Sequence, residues 1–318
     1  MEGEGRVGVD GAMTGFIIKR LLLAIPTILG VIFIVMLTIE LVPGDPAELM
    51  LGEHATKEAV QNVRTALGLD KPLLTRYFLY LKHLAKGDMG RSIRENRAVT
   101  KEISDVWPAT LELTIAAMMI AILIGVSVGI LSAVKPNSFF DNINRIVSLF
   151  GLSMPVFWIG LVLIVIFSFW LRLLPTGGTG SLKHLILPAF TLSLPSIAMI
   201  SRMTRSSLLE VLKEDYVRTA RAKGLSKKAV ILRHALKNAL IPIVTLSGLQ
   251  MGQLMGGAIL TETVFAWPGL GRLMVRAIFA RDSILLQGAV LIFALAIVLI
   301  NLIVDLSYSF LDPRVSYK

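Results

Sequence analysis

Six runs of 17 to 26 residues carry no charged side chain: 21–39, 113–134, 146–171, 185–201, 238–261 and 283–304. A helix that crosses the hydrocarbon of a bilayer needs about 20 predominantly apolar residues, and only an internally hydrogen-bonded segment is tolerated there. The runs therefore predict an all-α membrane protein with six transmembrane helices. Composition agrees, with 54% hydrophobic and only 17% charged residues and a mean hydropathy of +0.72, where a soluble domain has roughly 25% charged. Four His and no Cys leave no disulfide framework and no thiolate metal cluster. A net charge of +10 would suit a nucleic-acid binder in a soluble chain, but here it shares the sequence with six apolar runs.

Two runs carry internal breakers. The fourth has only 17 residues and holds Pro188 and Pro195, which predicts a short or broken span. In the third, Pro155 lies mid-run beside Ser153 and Met154 and predicts a kink, with a hinge as one use of it. The first run follows Lys19 and Arg20, the pattern of a secretory signal, but its apolar core is too long and no small-x-small site precedes Glu40. Residues 16–41 are read as an uncleaved first helix. Residues 1–15, with Gly3, Gly5, Gly8 and Gly11 and no periodicity, are read as a flexible leader, with Met13 an alternative initiator to Met1.

Lys and Arg in short loops set orientation. With the N-terminus inside, seventeen fall on cytoplasmic segments and five on short outer loops; the other ten lie between Lys57 and Lys101, in a loop too long to count. Both termini are expected in the cytoplasm, with residues 309–318 as a tail.

Two hydrophilic segments remain. The outer one, 42–108, opens on the turn signal Pro43-Gly44-Asp45-Pro46. Thr56 then starts a helical pattern of Ala59, Val63, Ala66 and Leu67 closed by Gly68, and Leu73, Tyr77, Leu81 and Leu84 form a second stripe closed by Gly87. This is a helical segment between the first two spans, read as a cap over the bundle mouth or as an aid in docking an external cargo-delivering protein. The inner segment, 202–237, repeats apolar residues at Val211, Leu212, Tyr216, Val217 and Ala220, breaks at Gly224, and resumes at Leu225, Ala229, Val230 and Leu232. Two short helices joined at a glycine are expected. Taken alone, such a basic helix-turn-helix suits DNA, but spans within about ten residues on either side leave no room to enter a groove. A solvated basic connector would not need an apolar stripe; a docking element for a cytoplasmic partner does.

The inner segment also carries a resemblance. Asp215-Tyr216-Val217-Arg218-Thr219-Ala220-Arg221-Ala222-Lys223-Gly224-Leu225, followed by Arg233-His234-Ala235-Leu236-Lys237-Asn238-Ala239-Leu240-Ile241-Pro242, resembles the coupling loop of ATP-binding-cassette importer permeases, more narrowly the dipeptide/oligopeptide permease family. Leu41-Val42-Pro43-Gly44-Asp45-Pro46-Ala47, Gly87-Asp88-Met89-Gly90-Arg91-Ser92, Thr261 through Trp267-Pro268-Gly269-Leu270-Gly271, and Asn301 through Asp305 to Asp312-Pro313-Arg314 match in order. One departure is visible. The general family loop has Glu-Ala-Ala where this chain has Arg218, Thr219 and Ala220, so no salt bridge of that glutamate transfers.

The resemblance implies a type I importer permease fold with residues 109–308 as its five-helix transmembrane domain. It also implies a bacterial or archaeal cytoplasmic membrane, a second homologous permease as heterodimer partner, two cytoplasmic ATPases of one type or two, and an extracytoplasmic binding protein. The chain lacks Gly-x-x-x-x-Gly-Lys-Ser/Thr, so it is expected to be no enzyme and to hold no cofactor, with ATP and Mg bound by the partners. Dipeptides or short oligopeptides are the expected cargo, with nickel or glutathione as alternatives within the family. An ion-gradient-driven secondary transporter is the alternative of another class; it usually carries acidic residues at mid-span, and none of the six runs does. A non-transporting scaffold would have no use for a coupling loop.

Coupling is assigned to Asp215, Tyr216, Arg218, Thr219, Ala220, Ala222, Gly224 and Leu225, with the stripe in a groove of the ATPase. Ser153, Met154, Gln250, Gln253 and Asn301 are candidates for a translocation path, polar groups being costly in a span. Asp305 shares a face with Asn301. Gly248, Gly252, Gly256 and Gly257 are read as helix-packing positions, and Trp267 as an interfacial anchor or the lip of an outer gate.

Overall fold

A computed structural model describes residues 4–41, 46–51, 56–66 and 68–311. These are helical, and their one β-type pairing is the isolated bridge between Arg91 and Ala98. In chain order the helices are α1 (Glu4–Leu41), α2 (Pro46–Leu51), α3 (Lys57–Ala66), α4 (Leu73–Leu84), α5 (Val99–Val134), α6 (Phe139–Ser153), α7 (Val156–Leu163), α8 (Leu182–Val211), α9 (Asp215–Ala222), α10 (Lys227–Ala229), α11 (Leu236–Val264), α12 (Leu270–Phe279) and α13 (Ser283–Leu311). Two π-helical stretches, Ile164–Trp170 and Val230–Ala235, continue α7 and join α10 to α11. Five helical segments are long and apolar enough to cross a membrane, and a sixth is counted if α6 and the helix starting at Val156 are one broken span.

One expectation is borne out and two change. The third run is bent by 109° between Ser153 and Val156. Met154 is extended (φ −84°, ψ 138°), the conformation that a following proline imposes. The fourth run is the continuous one, thirty residues of α8 that pass through Pro188 and Pro195. And α1 begins at Glu4, so residues 4–15 extend the first span as helix, since adding a turn to a helix already nucleated costs little. The motifs at Pro43–Asp45 and at Asp312–Arg314 lie outside the described residues.

The described residues divide into two compact units: those up to Pro108 together with Gly269–Leu302, and Ala109–Pro268 together with those from Ile303 onward. In the first, the outer segment forms the expected helices. The Thr56 hydroxyl accepts from Ala59 N at 3.2 Å, which satisfies one orphan donor at the start of α3, and Gly68 and Gly87 take φ of +66° and +78°. Leu73, Tyr77, Leu81 and Leu84 pack on Ile32, Met36 and Leu291, so the stripe of α4 is spent on α1 and α13. The Tyr77 hydroxyl donates to Leu29 O (3.1 Å), and Arg76 pairs with Glu40 (2.6 Å).

The Gly87–Ser92 motif is a tether. Gly90 donates to Asp88 Oδ1 (2.9 Å); a Cβ at Gly90 would lie 2.9 Å from Ile284 Cγ2. The Ser92 hydroxyl donates to buried Asp282 (2.5 Å), whose other oxygen accepts from Leu285 N and caps α13. Glu102, 5% exposed, is held by Arg97 and Arg276 at 2.7 and 3.0 Å.

In the second unit α8 is the central element. Leu113, Ala117, Ala121, Leu192, Ile200, Ile243, Leu254 and Trp267 form its main core. Gly125 and Gly129 bring α5 against α8 so closely that a Cβ would stand 2.9 Å from Ile200 and 2.5 Å from Thr204. That small-xxx-small spacing permits backbone approach.

Candidate functional site

The segment after α8 is built as a compact elbow. Leu212, Lys213 and Glu214 turn off the last helical carbonyls, Glu214 goes extended (ψ 146°), and α9 runs for eight residues. It ends at Gly224, whose N–H donates to Arg221 O and whose φ is +78°, a left-handed value that costs any residue with a Cβ about 1–2 kcal/mol. Nothing stands within 4 Å of where that Cβ would be, so backbone conformation alone calls for glycine. Ser226 then caps the next helix, its hydroxyl accepting from Ala229 N at 3.3 Å. From Lys227 the helix runs on without a break into the fifth span, to Val264. The expected second short helix is therefore the start of that span, carried across the π-helical turn 230–235.

The apolar stripe faces inward. Val217 and Ala220 are 0% and 7% exposed and pack with Ala133, Leu208, Val230, Ile231, Ala235 and Ala239. This corrects the expectation that the stripe rests in a partner's groove. An amphipathic period shows that one face is buried, and here the protein's own bundle buries it. Tyr216 is 40% exposed and accepts from Asn238 Nδ2 at 2.7 Å, tying α9 to the foot of α11.

The outward face consists of Asp215, Arg218, Thr219, Arg221, Ala222, Lys223 and the 41%-exposed Leu225. Arg218 and Asp215 lie 3.5 Å apart but are 80% and 94% exposed, and such surface pairs contribute little. Beside this face a cavity of about 400 Å³ is lined by Leu212, Arg221, Leu225, Lys227 and Ile231, among others. Of the eight residues assigned to coupling, Ala220 is buried, Tyr216 is half committed to α11, and Asp215, Arg218, Thr219, Ala222, Gly224 and Leu225 stand outward.

The path candidates are not brought together. Gln250, 3% exposed, donates to Ser196 Oγ at 3.3 Å between α11 and α8. Gln253, Ser153 and Asn301 are exposed, and Met154 is half-buried at the break. Gly248 does pack closely, its Cβ position 2.4 Å from Val304, and Gly257 meets Leu192 at 3.1 Å; Gly256 has open space. Trp267 is not an interfacial anchor. It is 3% exposed and donates to Ala109 O at 2.8 Å.

One polar cluster escaped the sequence reading. Asp141, fully buried on α6, accepts from Arg205 of α8 through both oxygens, at 2.6 and 2.8 Å, and from Asn137 N at 2.8 Å. One turn on, the Asn144 amide donates to Ser132 on α5 (3.0 Å) and Ser201 on α8 (2.9 Å). The pattern Ser138-x-x-Asp141 was the available signal, a helix start in which Asp141 N donates to the Ser138 hydroxyl. The elbow thus hangs from α8, and α8 is clamped to α6 at Arg205, less than two turns before α8 ends at Val211.

The family described as "Binding-protein-dependent transport system inner membrane component" matches residues 125–317, and the corresponding N-terminal family matches residues 13–114. The chain is 46% identical to the dipeptide transport system permease protein DppB of Alkalihalophilus pseudofirmus and 45% identical to the glutathione transport system permease protein GsiC of Salmonella choleraesuis. Each match covers 96% of this chain and 100% of the relative. Among solved structures, the MetNI methionine ABC transporter in an inward-facing conformation matches with a TM-score of 0.57 at 18% identity, over 67% of this chain and 97% of that one. The fold is that of a type I importer permease.

Proposed function

Since the chain belongs to the binding-protein-dependent transport system inner-membrane family, and is an ABC importer permease of the inner membrane, we propose that it imports dipeptides or short oligopeptides. In this reading it forms half of the pathway with a second, homologous permease. An external binding protein delivers the peptide, and partner ATPases hold ATP and Mg and do the hydrolysis. Relatives named for dipeptide and for glutathione transport, at 46% and 45% identity, support a short peptide as cargo. Glutathione, itself a short peptide, is the second reading.

The observation that carries the energy-coupling role is the inward-packed, outward-charged elbow. Because Val217 and Ala220 are locked against α5, α8 and α11, a partner that moves the outer face of α9 moves those helices with it. Arg218, Thr219, Ala222 and Leu225 are left to meet the ATPase, and the substrate path lies elsewhere. In this reading both termini and the elbow face the cytoplasm and residues 42–108 lie outside.

Gly224→Val tests this. The substitution clashes with nothing and strains only φ, so we expect an inserted, assembled subunit whose complex loses peptide-stimulated ATP hydrolysis and uptake. Gly224→Asn, which tolerates left-handed backbone, should retain most of both. In the same vesicles, a cysteine at Lys71 should react with an impermeant maleimide from outside and one at Lys223 should not. Full uptake by the valine variant at matched expression would reduce the elbow to a solvated connector.

A further inference from the structure

In the unit built from α1–α4, α12 and the first part of α13, a cavity of about 410 Å³ opens between α4, the Asp88–Gly90 loop and the start of α13. Its size is near the lower end of small-ligand sites, roughly 300–1,000 Å³. Two or three extended residues measure about 7–10 Å and suit that volume. Its floor is apolar, with Met36, Leu79, Met89, Ile93 and Ile284.

The polar groups on its wall differ in what they already hold. Arg76 is neutralised by Glu40 at 2.6 Å. Lys71 forms no ion pair among the described residues and is exposed at the rim. Asp88 carries the opposite charge: the Gly90 N–H donating to it, with His83 beside it, holds its carboxyl below the usual range. Gln287 is 9% exposed, lines the cavity, and its side chain makes no hydrogen bond among the described residues, which leaves its amide open to the cavity. Tyr80 also lines the cavity, and its buried hydroxyl has no hydrogen-bond partner among the described residues; burial pushes it up to about 12, so it adds no charge.

We infer that this cavity is a transit site for the cargo and takes an unblocked peptide of two or three residues. Lys71 receives the carboxylate, Asp88 the ammonium group, Gln287 the peptide amide, and the apolar floor the side chains. The inference rests on the peptide-import reading and adds to it a station on this subunit that checks for free termini. Opposite charges in one recess, with an uncommitted amide between apolar walls, fit a small zwitterion better than a protein segment.

The chain contains no Cys, which makes the test direct. Leu79→Cys, with Ile93→Cys as a second reporter, is placed in the assembled importer in nanodiscs without binding protein. The rate of monobromobimane labelling is then read on this subunit's gel band. Alanyl-alanine should slow labelling at least 5-fold, N-acetyl-alanyl-alanine amide should not, and a cysteine at Gln61 should be unaffected by either. Lys71→Gln in the reporter background should raise the half-protective concentration at least 5-fold. Equal protection by both peptides, or protection by the binding protein alone, overturns the inference. So does absence of protection in a complex whose wild type imports the dipeptide. A wild-type complex that imports no peptide but responds to another cargo would instead sink the peptide-import reading.

Discussion

The run that holds Pro155 breaks into α6 and α7, whereas the run that holds Pro188 and Pro195 stays one helix, although an interior proline costs a helix about 3 kcal/mol. The difference lies in what holds each run from the side. Along α8, Gln250 bonds Ser196, Asn144 bonds Ser201 and Asp141 binds Arg205, while Gly125 and Gly129 seat α5 against Ile200 and Thr204. These contacts recur at nearly every turn, and over half of the apolar stretch is buried. By contrast α6 buries only Asp141, Asn144 and Ser148, and Ile146, Val147, Leu149 and Phe150 are each more than half exposed. Nothing there opposes the extended conformation that Pro155 asks of Met154. A proline thus breaks the helix whose packing is one-sided and is absorbed by the helix that is clamped.

The largest test of this contrast removes the clamp. Asp141→Ala should destabilise the subunit by about 3 kcal/mol, the low end for breaking a buried pair because Arg205 keeps partial exposure. Arg205→Ala should cost at least as much, since it strands a fully buried carboxylate. The joint replacement Asp141→Leu with Arg205→Met should recover most of the loss. Chemical unfolding in detergent measures all three; a double variant no better than the singles would show that the pair is not what fixes α6 to α8.

A step smaller is the glycine seat. A Cβ at Gly129 would stand 2.5 Å from Thr204 and 2.7 Å from Ser201 O, while at Gly256 it meets nothing. Gly129→Ala should cost about 2 kcal/mol by overpacking. Gly256→Ala, also inside a helix, should stabilise by up to about 1 kcal/mol through backbone entropy. Equal effects would mean that α5 can retreat from α8 freely.

What could be read in advance follows the same division between local and tertiary causes. Gly68, Gly87 and Gly224 act through their own backbones and Thr56 through a hydroxyl that reaches only three residues on, and each turn or helix start appears where its residue stands. Apolar period was legible too, but only as a buried face. The stripe at Leu73, Tyr77, Leu81 and Leu84 and the stripe at Val217 and Ala220 read alike, and both proved to be covered by this chain. Gln250 suggests a path because a polar group is costly in a span, and Trp267 suggests an interfacial anchor or a gate lip because it stands in an outer turn. Ser196 and Ala109 O, far away in sequence, satisfy them instead. Which of two proline-bearing runs breaks was the least legible feature, because hydropathy counts apolar residues and not the neighbours that clamp them.

The smallest effects come from the prolines themselves, and their signs should differ. Pro195→Ala restores an N–H where the helix already exists, and a backbone hydrogen bond contributes about 1 kcal/mol. It also frees the unfolded chain, which costs about 0.4–1 kcal/mol, so the net should be zero to a few tenths stabilising. Pro155→Ala gains no such bond, because Pro155 stands before the first turn of α7, with its carbonyl already accepting from Trp158 and Ile159. It loses both the entropy benefit and the restraint on Met154, and should destabilise by about 0.5–1 kcal/mol. A cysteine pair reporting distance across the break should also show a wider distribution in Pro155→Ala than in the parent. If Pro155→Ala instead left both stability and that distribution unchanged, the 109° bend would have to be imposed by the packing of Asp141, Asn144 and Ser148, and the proline would be its passenger.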